Sequence, residues 1–119
     1  MTTILLAEDH QIVREALRLL LETQPDFQVV AETGDGLDAL HLTEKLKPDI
    51  LIADVMMPGL SGLEAARRAK GVSPATKVIV LSMHDAESYV VEALGAGVAG
   101  YVLKKSSSQE LIFAIRQAL

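Results

Sequence analysis

Five short apolar runs recur along this chain, and each is followed by a stretch whose apolar residues fall at helical spacing. Strand then helix, five times in 119 residues, leaves few folds open. A strand that returns through a helix to a neighbouring strand builds a parallel sheet, and right-handed crossovers put helices on both of its faces. The expected fold class is therefore α/β, an open parallel sheet covered on both sides. In such sheets a ligand sits beyond the carboxyl ends of the strands, near the point where the strand order reverses.

The first run, Thr2-Thr3-Ile4-Leu5-Leu6-Ala7, ends in Glu8-Asp9. A helix over residues 11–23 then places Ile12, Val13, Ala16, Leu17, Leu20 and Leu21 at helical spacing, and Pro25 closes it. Residues 27–31 form a short β-rich run, and Asp35 opens a helix over Leu37, Leu40 and Leu46 that Lys47-Pro48 ends. The run 50–53 is continuously apolar, as a parallel strand buried on both faces should be. Ser61-Gly62-Leu63-Glu64 is a capping box, which predicts a helix to about Lys70. Residues 78–82 read as a fourth strand. Asp85 caps a helix with Tyr89, Val90, Ala93 and Leu94, broken at Gly95 and Gly97. Residues 99–103 are the fifth strand, and the capping box Ser107-Ser108-Gln109-Glu110 opens a last helix with Leu111, Ile112, Ile115 and Leu119. Linkers and low-complexity tracts are absent, so residues 1–119 read as one domain.

Composition narrows the function. The chain is 50% hydrophobic but only 3% aromatic, so its core is aliphatic. A net charge of −5 and a pI near 5.1 argue against direct nucleic-acid contact, which usually comes with a basic domain. With no cysteine, disulfides, thiolate metal sites and cysteine nucleophiles are excluded. No apolar stretch approaches the roughly 18 residues that cross a bilayer, and no signal sequence is visible. The expectation is a cytoplasmic protein.

The charges at the strand ends carry the chemistry. Asp54 ends the apolar run Ile50-Leu51-Ile52-Ala53 and faces a turn enforced by Pro58 and Gly59. A carboxylate beside a core is tolerated mainly when it is paired or bound to a cation. Glu8 and Asp9 end the first strand, and Lys104 follows the fifth. These groups converge only if the strands are parallel and adjacent. Their donors are all oxygens, which favours Mg²⁺, with Mn²⁺ as the alternative, over zinc or copper. The plainer reading makes Glu8 and Asp9 solvated loop residues, but it leaves the third carboxylate on a core strand unexplained.

Lys104 is either an ordinary surface cation or a partner for Asp54 and a phosphoryl oxygen. Ser82 either terminates the fourth strand or donates a hydrogen bond to the same group. Tyr101 reads as a half-buried strand aromatic, or as a side chain that changes rotamer when Ser82 moves. His10, His41 and His84 fall in a loop, a helix and a loop, with no metal-ligand spacing among them. Gly34-Asp35-Gly36-Leu37-Asp38-Ala39 fits Gly-x-Gly-x-x-Ala, a dinucleotide fingerprint. It lies on the second strand rather than the first, in a short chain, with Asp35 placed to repel a pyrophosphate.

Glu8-Asp9, Asp54 with Met57-Pro58-Gly59 and Gly62, Ser82, and Gly100-Tyr101-Val102-Leu103-Lys104 together resemble the receiver domain of two-component response regulators, over the whole chain. The Ala-Glu-Asp-His start and the Gly-Tyr-Val-Leu-Lys-Lys-Ser end are most similar to the NarL/FixJ group. The resemblance implies a flavodoxin-like (βα)5 sheet in the order 2-1-3-4-5. It implies Asp54 as phosphoacceptor, and Glu8, Asp9, Asp54 and the Met56 backbone carbonyl as Mg²⁺ ligands. Ser82 and Lys104 would contact the phosphoryl oxygens, and Ser82 and Tyr101 would form the switch. Many members have Asp where Glu8 stands, so contact there would run through water, and many have Pro where Lys105 follows Lys104. The implied partners are a sensor histidine kinase or phosphotransfer domain, a DNA-binding effector domain in the full-length protein, and a second copy in a phosphorylation-dependent homodimer. On this reading the domain catalyses its own phosphorylation and dephosphorylation without being a turnover enzyme. An aspartyl-phosphate phosphatase would need a second Asp two residues after the nucleophile, where this chain has Met56. A pseudo-receiver would not need the acid, serine and lysine set.

Overall fold

β3 (Ile50–Asp54) lies at the centre of the sheet, and all five of its residues are buried. The computed structural model describes residues 1–83 and 87–119, with the side chains of 87–89 left aside. β1 (Thr2–Ala7) and β4 (Lys77–Ser82) flank β3, while β2 (Phe27–Thr33) and β5 (Gly100–Leu103) form the edges. The order is β2-β1-β3-β4-β5, and every pairing is parallel. This is the order expected above. Chain order reverses at β1, between β2 and β3, so the carboxyl ends of β1 and β3 border the crevice.

The five helices are α1 (Gln11–Glu22), α2 (Gly36–Leu46), α3 (Gly62–Val72), α4 (Glu87–Gly95) and α5 (Ser108–Ala118). Successive side chains of a strand point to opposite faces, and the core divides accordingly. Ile4, Leu6, Ile50, Ile52, Ile79 and Leu81 pack with Leu21, Leu111 and Ile115 under α1 and α5. Leu5, Ala7, Leu51, Ala53, Val78 and Val80 meet Ala39, Ala66, Ala69, Ala93 and Ala96 under α2, α3 and α4. Two helices thus cover one face with bulky aliphatics. Three helices approach the other closely through alanines.

The capping residues act as their spacing predicts. Ser61 Oγ accepts the Glu64 N–H at 3.2 Å and Ser107 Oγ accepts the Glu110 N–H at 3.3 Å. Asp35 Oδ1 accepts the N–H groups of Leu37 and Asp38 at 2.8 and 3.0 Å. That carboxylate occupies the start of α2, where a dinucleotide fingerprint would place a pyrophosphate, so the Gly-x-Gly pattern here serves packing. Indeed, a Cβ on Gly36 would fall on the Leu60 carbonyl. The expected cap at Asp85 and the loop with His84 lie outside the described residues.

One expected boundary needs correction, and two helices turn only part of their apolar residues inward. β2 runs to Thr33 rather than residue 31: beyond a register shift between Ile4 and Leu5, Glu32 and Thr33 pair with Leu6 and Ala7. The stripe Leu37, Leu40, Leu46 is not the core face of α2, since Leu37 and Leu46 are exposed and Gly36, Ala39 and Thr43 are buried. Close approach of α2 to its neighbours selects small residues over large ones. On α1 only Leu21 is buried, and Ile12 is 82% exposed. The rest of the α1 stripe borders an open apolar groove of about 350 Å³ that ends against residues 106–108 and Leu111.

Candidate functional site

The strand ends bring the acids together. Glu8 follows β1 and is buried, Asp54 ends β3 and is 3% exposed, and Asp9 is exposed to solvent. Lys104, just past β5, reaches across β4, donating from Nζ to Asp54 Oδ2 at 2.7 Å and to Glu8 Oε1 at 3.0 Å. The Met56 N–H donates to Asp54 Oδ1 at 3.2 Å. Gly62 is required here, because a Cβ on it would fall on the Asp54 carbonyl. Arg14 Nη1 donates to the Glu8 carbonyl at 2.8 Å and so ties α1 to the end of β1.

The remaining expected residues take adjacent places. Ser82 ends β4 and is buried, and its carbonyl accepts the Lys104 N–H at 2.8 Å. Tyr101 is half-buried in β5 and packs on the core under α2, α3 and α4. His41 lies exposed on α2, away from the acids. His10 differs: its Nδ1 lies 3.1 Å from Glu8 Oε1 and 3.3 Å from Asp9 Oδ1. Spacing among the three histidines gave no sign of this. The readable signal was adjacency to Glu8-Asp9 in a loop that turns into a helix.

Electrostatics divide the two buried acids. Burial raises the Glu8 carboxyl above its ordinary range, and the neighbouring Asp54 adds to that against the opposing pull of Lys104. Burial also acts to raise Asp54, but hydrogen bonds to Glu8, Lys104 and the Met56 N–H outweigh it and hold Asp54 below the usual carboxylate range. Burial would lower Lys104, yet the same two acids hold its ammonium above its ordinary value. The pocket thus favours the ionised form of Asp54 and disfavours a charge on Glu8. With both acids ionised, Glu8 Oε2 is buried with no hydrogen-bond partner among the described residues. A proton on Glu8, shared with Asp54, or a bound cation would satisfy it.

The donor set fits a cation. One ligand atom each from Glu8, Asp9, His10 and Asp54 lies within 4.8 Å of all the others. Three carboxylates face one ammonium, so a divalent ion would neutralise the excess.

Comparison with known proteins settles the family. Residues 4–116 match the family described as response regulator receiver domain. The chain belongs to this family. The receiver domain is similar to the uncharacterized transcriptional regulatory protein YxjL of Bacillus subtilis, at 44% identity over 97% of this chain and 53% of that protein. It is 42% identical to the transcriptional regulatory protein DegU of Brevibacillus brevis, over 95% of this chain and 48% of that one. Among solved structures, a DNA-binding response regulator of the LuxR family from Staphylococcus aureus superposes with a TM-score of 0.93 at 34% identity, covering 99% of this chain and 98% of that chain. The receiver domain spans about half the length of the curated relatives it matches. Receiver domains typically bind Mg²⁺, and the acidic cluster needed for it is present. Among the described residues, no helix is long and apolar enough to cross a membrane.

Proposed function

We propose that Asp54 accepts a phosphoryl group and that the domain is a charge-operated switch. The observation that supports this most directly is the setting of Asp54, a buried carboxylate at a strand tip with Oδ2 at 2.7 Å from Lys104 Nζ and Oδ1 accepting the Met56 N–H. An ionised carboxylate at a strand tip is a nucleophile. One of its oxygens attacks phosphorus in line and forms an acyl-phosphate P–O bond. The P–N bond of a phosphohistidine, or the P–O bond of acetyl phosphate, breaks and the leaving group takes the electron pair; acetate departs as the anion, and the imidazole takes a proton from solvent. Lys104 Nζ, already 2.7 Å from Asp54, offsets charge on the transferring oxygens. Mg²⁺ held by Glu8, Asp9, Asp54 and the Met56 carbonyl would supply further charge neutralisation there.

The product replaces one carboxylate charge by a phosphoryl group carrying about −1.5 to −2. Ser82, at the end of the neighbouring strand, donates to the new oxygens, and Tyr101 turns into the space it leaves. Two states biased by a local charge result. The donor is a sensor histidine kinase or a phosphotransfer domain. The output is a DNA-binding effector domain in the full-length cytoplasmic protein, which would account for the unmatched half of the relatives. A phosphorylation-dependent homodimer would couple the two.

The test is direct. Incubated with acetyl phosphate and Mg²⁺, the domain should gain one phosphoryl group per chain by intact-mass measurement, and Asp54→Asn should gain none. Undiminished labelling of the Asn variant would refute the assignment.

A further inference from the structure

His10 occupies the N-cap position of α1, where a side chain normally accepts a backbone N–H, yet its side chain makes no cap hydrogen bond. Its carbonyl alone serves the helix, accepting the Arg14 N–H at 2.9 Å. The imidazole instead turns back over the acids, with Nδ1 at 3.1 Å from Glu8 Oε1 and 3.3 Å from Asp9 Oδ1. An octahedral ion with ligands near 2.1 Å sets neighbouring ligand atoms about 3 Å apart. The imidazole nitrogen therefore stands from two of the acids at the spacing of adjacent ligands on one small cation. A second observation concerns the same carboxylate: Glu8 is completely buried, and while Oε1 meets His10 and Lys104, its other oxygen, Oε2, has no hydrogen-bond partner among the described residues. The His10 side chain is 67% exposed, so a cation can reach it from solvent without the core opening.

We propose that His10 Nδ1 is a ligand of the cation held by Glu8, Asp9 and Asp54, and that it tilts this site from Mg²⁺ toward Mn²⁺ and later first-row ions. Mg²⁺ prefers oxygen donors and gives up its water reluctantly, whereas imidazole suits transition ions. A pure oxygen pocket would accept both. One nitrogen donor separates them. The inference rests on reading the acids as a cation site, and it is independent of whether Asp54 is phosphorylated.

The test uses the metal-free domain and Mn²⁺ as the probe. Electron spin-echo spectra of the Mn²⁺ complex should show coupling to an imidazole nitrogen, and His10→Asn should remove it. In calorimetric titrations the same substitution should weaken Mn²⁺ binding about tenfold and Mg²⁺ binding less than twofold, narrowing the preference between them. Asn is a favoured N-cap residue, so this variant keeps the fold, which thermal unfolding verifies. Mn²⁺ bound without nitrogen coupling in the wild type, or an equal loss for both ions, overturns the role of His10 and leaves the acidic site standing. No Mn²⁺ binding at all overturns both. A parallel acetyl phosphate assay reports on Asp54 separately.

Discussion

At the scale of single residues, the pocket is a balance between two buried acids and one lysine. Glu8 is raised above its ordinary value by burial and by Asp54. An acid whose folded value lies above its unfolded one destabilises the fold once ionised, and this cost vanishes below the unfolded value. Glu8→Gln should therefore raise metal-free stability at neutral pH, by on the order of 1 kcal/mol. The gain should shrink as pH falls toward about 4.3, the ordinary glutamate value, where wild-type Glu8 is protonated. Asp54 has the opposite sign: its folded value is depressed, so it contributes stability above the unfolded value that is lost as pH falls through the folded one. Urea denaturation across that pH range, with chelator present, measures the difference between the two proteins. A gain that does not change with pH would mean that the substitution acts through packing and not through charge. The acids themselves were legible in the sequence, because charges ending apolar runs are conspicuous. The partnership of His10 was not, since it depends on where a side chain swings once its backbone enters a helix.

At the scale of elements, the helix ends follow local rules and the helix faces do not. Asp35, Ser61 and Ser107 all cap as their spacing predicts, because a cap needs only residues within three or four positions. Which stripe of α2 turns inward is a different matter. Leucine positions suggest one face, but α2 lies so close to the loop before α3 that Gly36 has no room for a Cβ. Gly36→Ala should cost about 2 kcal/mol through overpacking, despite the better helix propensity of alanine. Gly71, on α3, has nothing within 4 Å of an added Cβ. Gly71→Ala should instead stabilise the domain by about 0.5 kcal/mol. Denaturation midpoints of the two variants should move in opposite directions. Stabilisation of both variants would show that propensity, rather than contact, governs both sites.

At the scale of the whole molecule, Lys104 joins the pocket to an edge of the sheet. Its Nζ binds Asp54 and Glu8, while its N–H pairs with Ser82 and its chain continues from the strand bearing Tyr101. In spectra of the beryllofluoride-treated wild type, amide resonances should shift across α4 and β5 as well as in the pocket. Lys104→Ala should still bind the phosphoryl mimic, since Asp54 and the acids are retained, but its shifts should be confined to the pocket. Equally wide shifts in both proteins would route the change through Ser82 alone.

The sequence by itself determined the alternation of strand and helix, the apolar character of β3, the helix caps and the charges at the strand ends. Each of these is a local property, written in residues that are neighbours along the chain or one helical turn apart. The tertiary structure decided which apolar stripes are covered, how far β2 extends, and that the pocket raises the Glu8 carboxyl while it lowers that of Asp54. Those outcomes depend on groups from β1, β3 and β5 meeting at one edge of the sheet. Lys104 lies 96 positions from Glu8 and 50 from Asp54, so only the strand order brings the three charges within bonding distance.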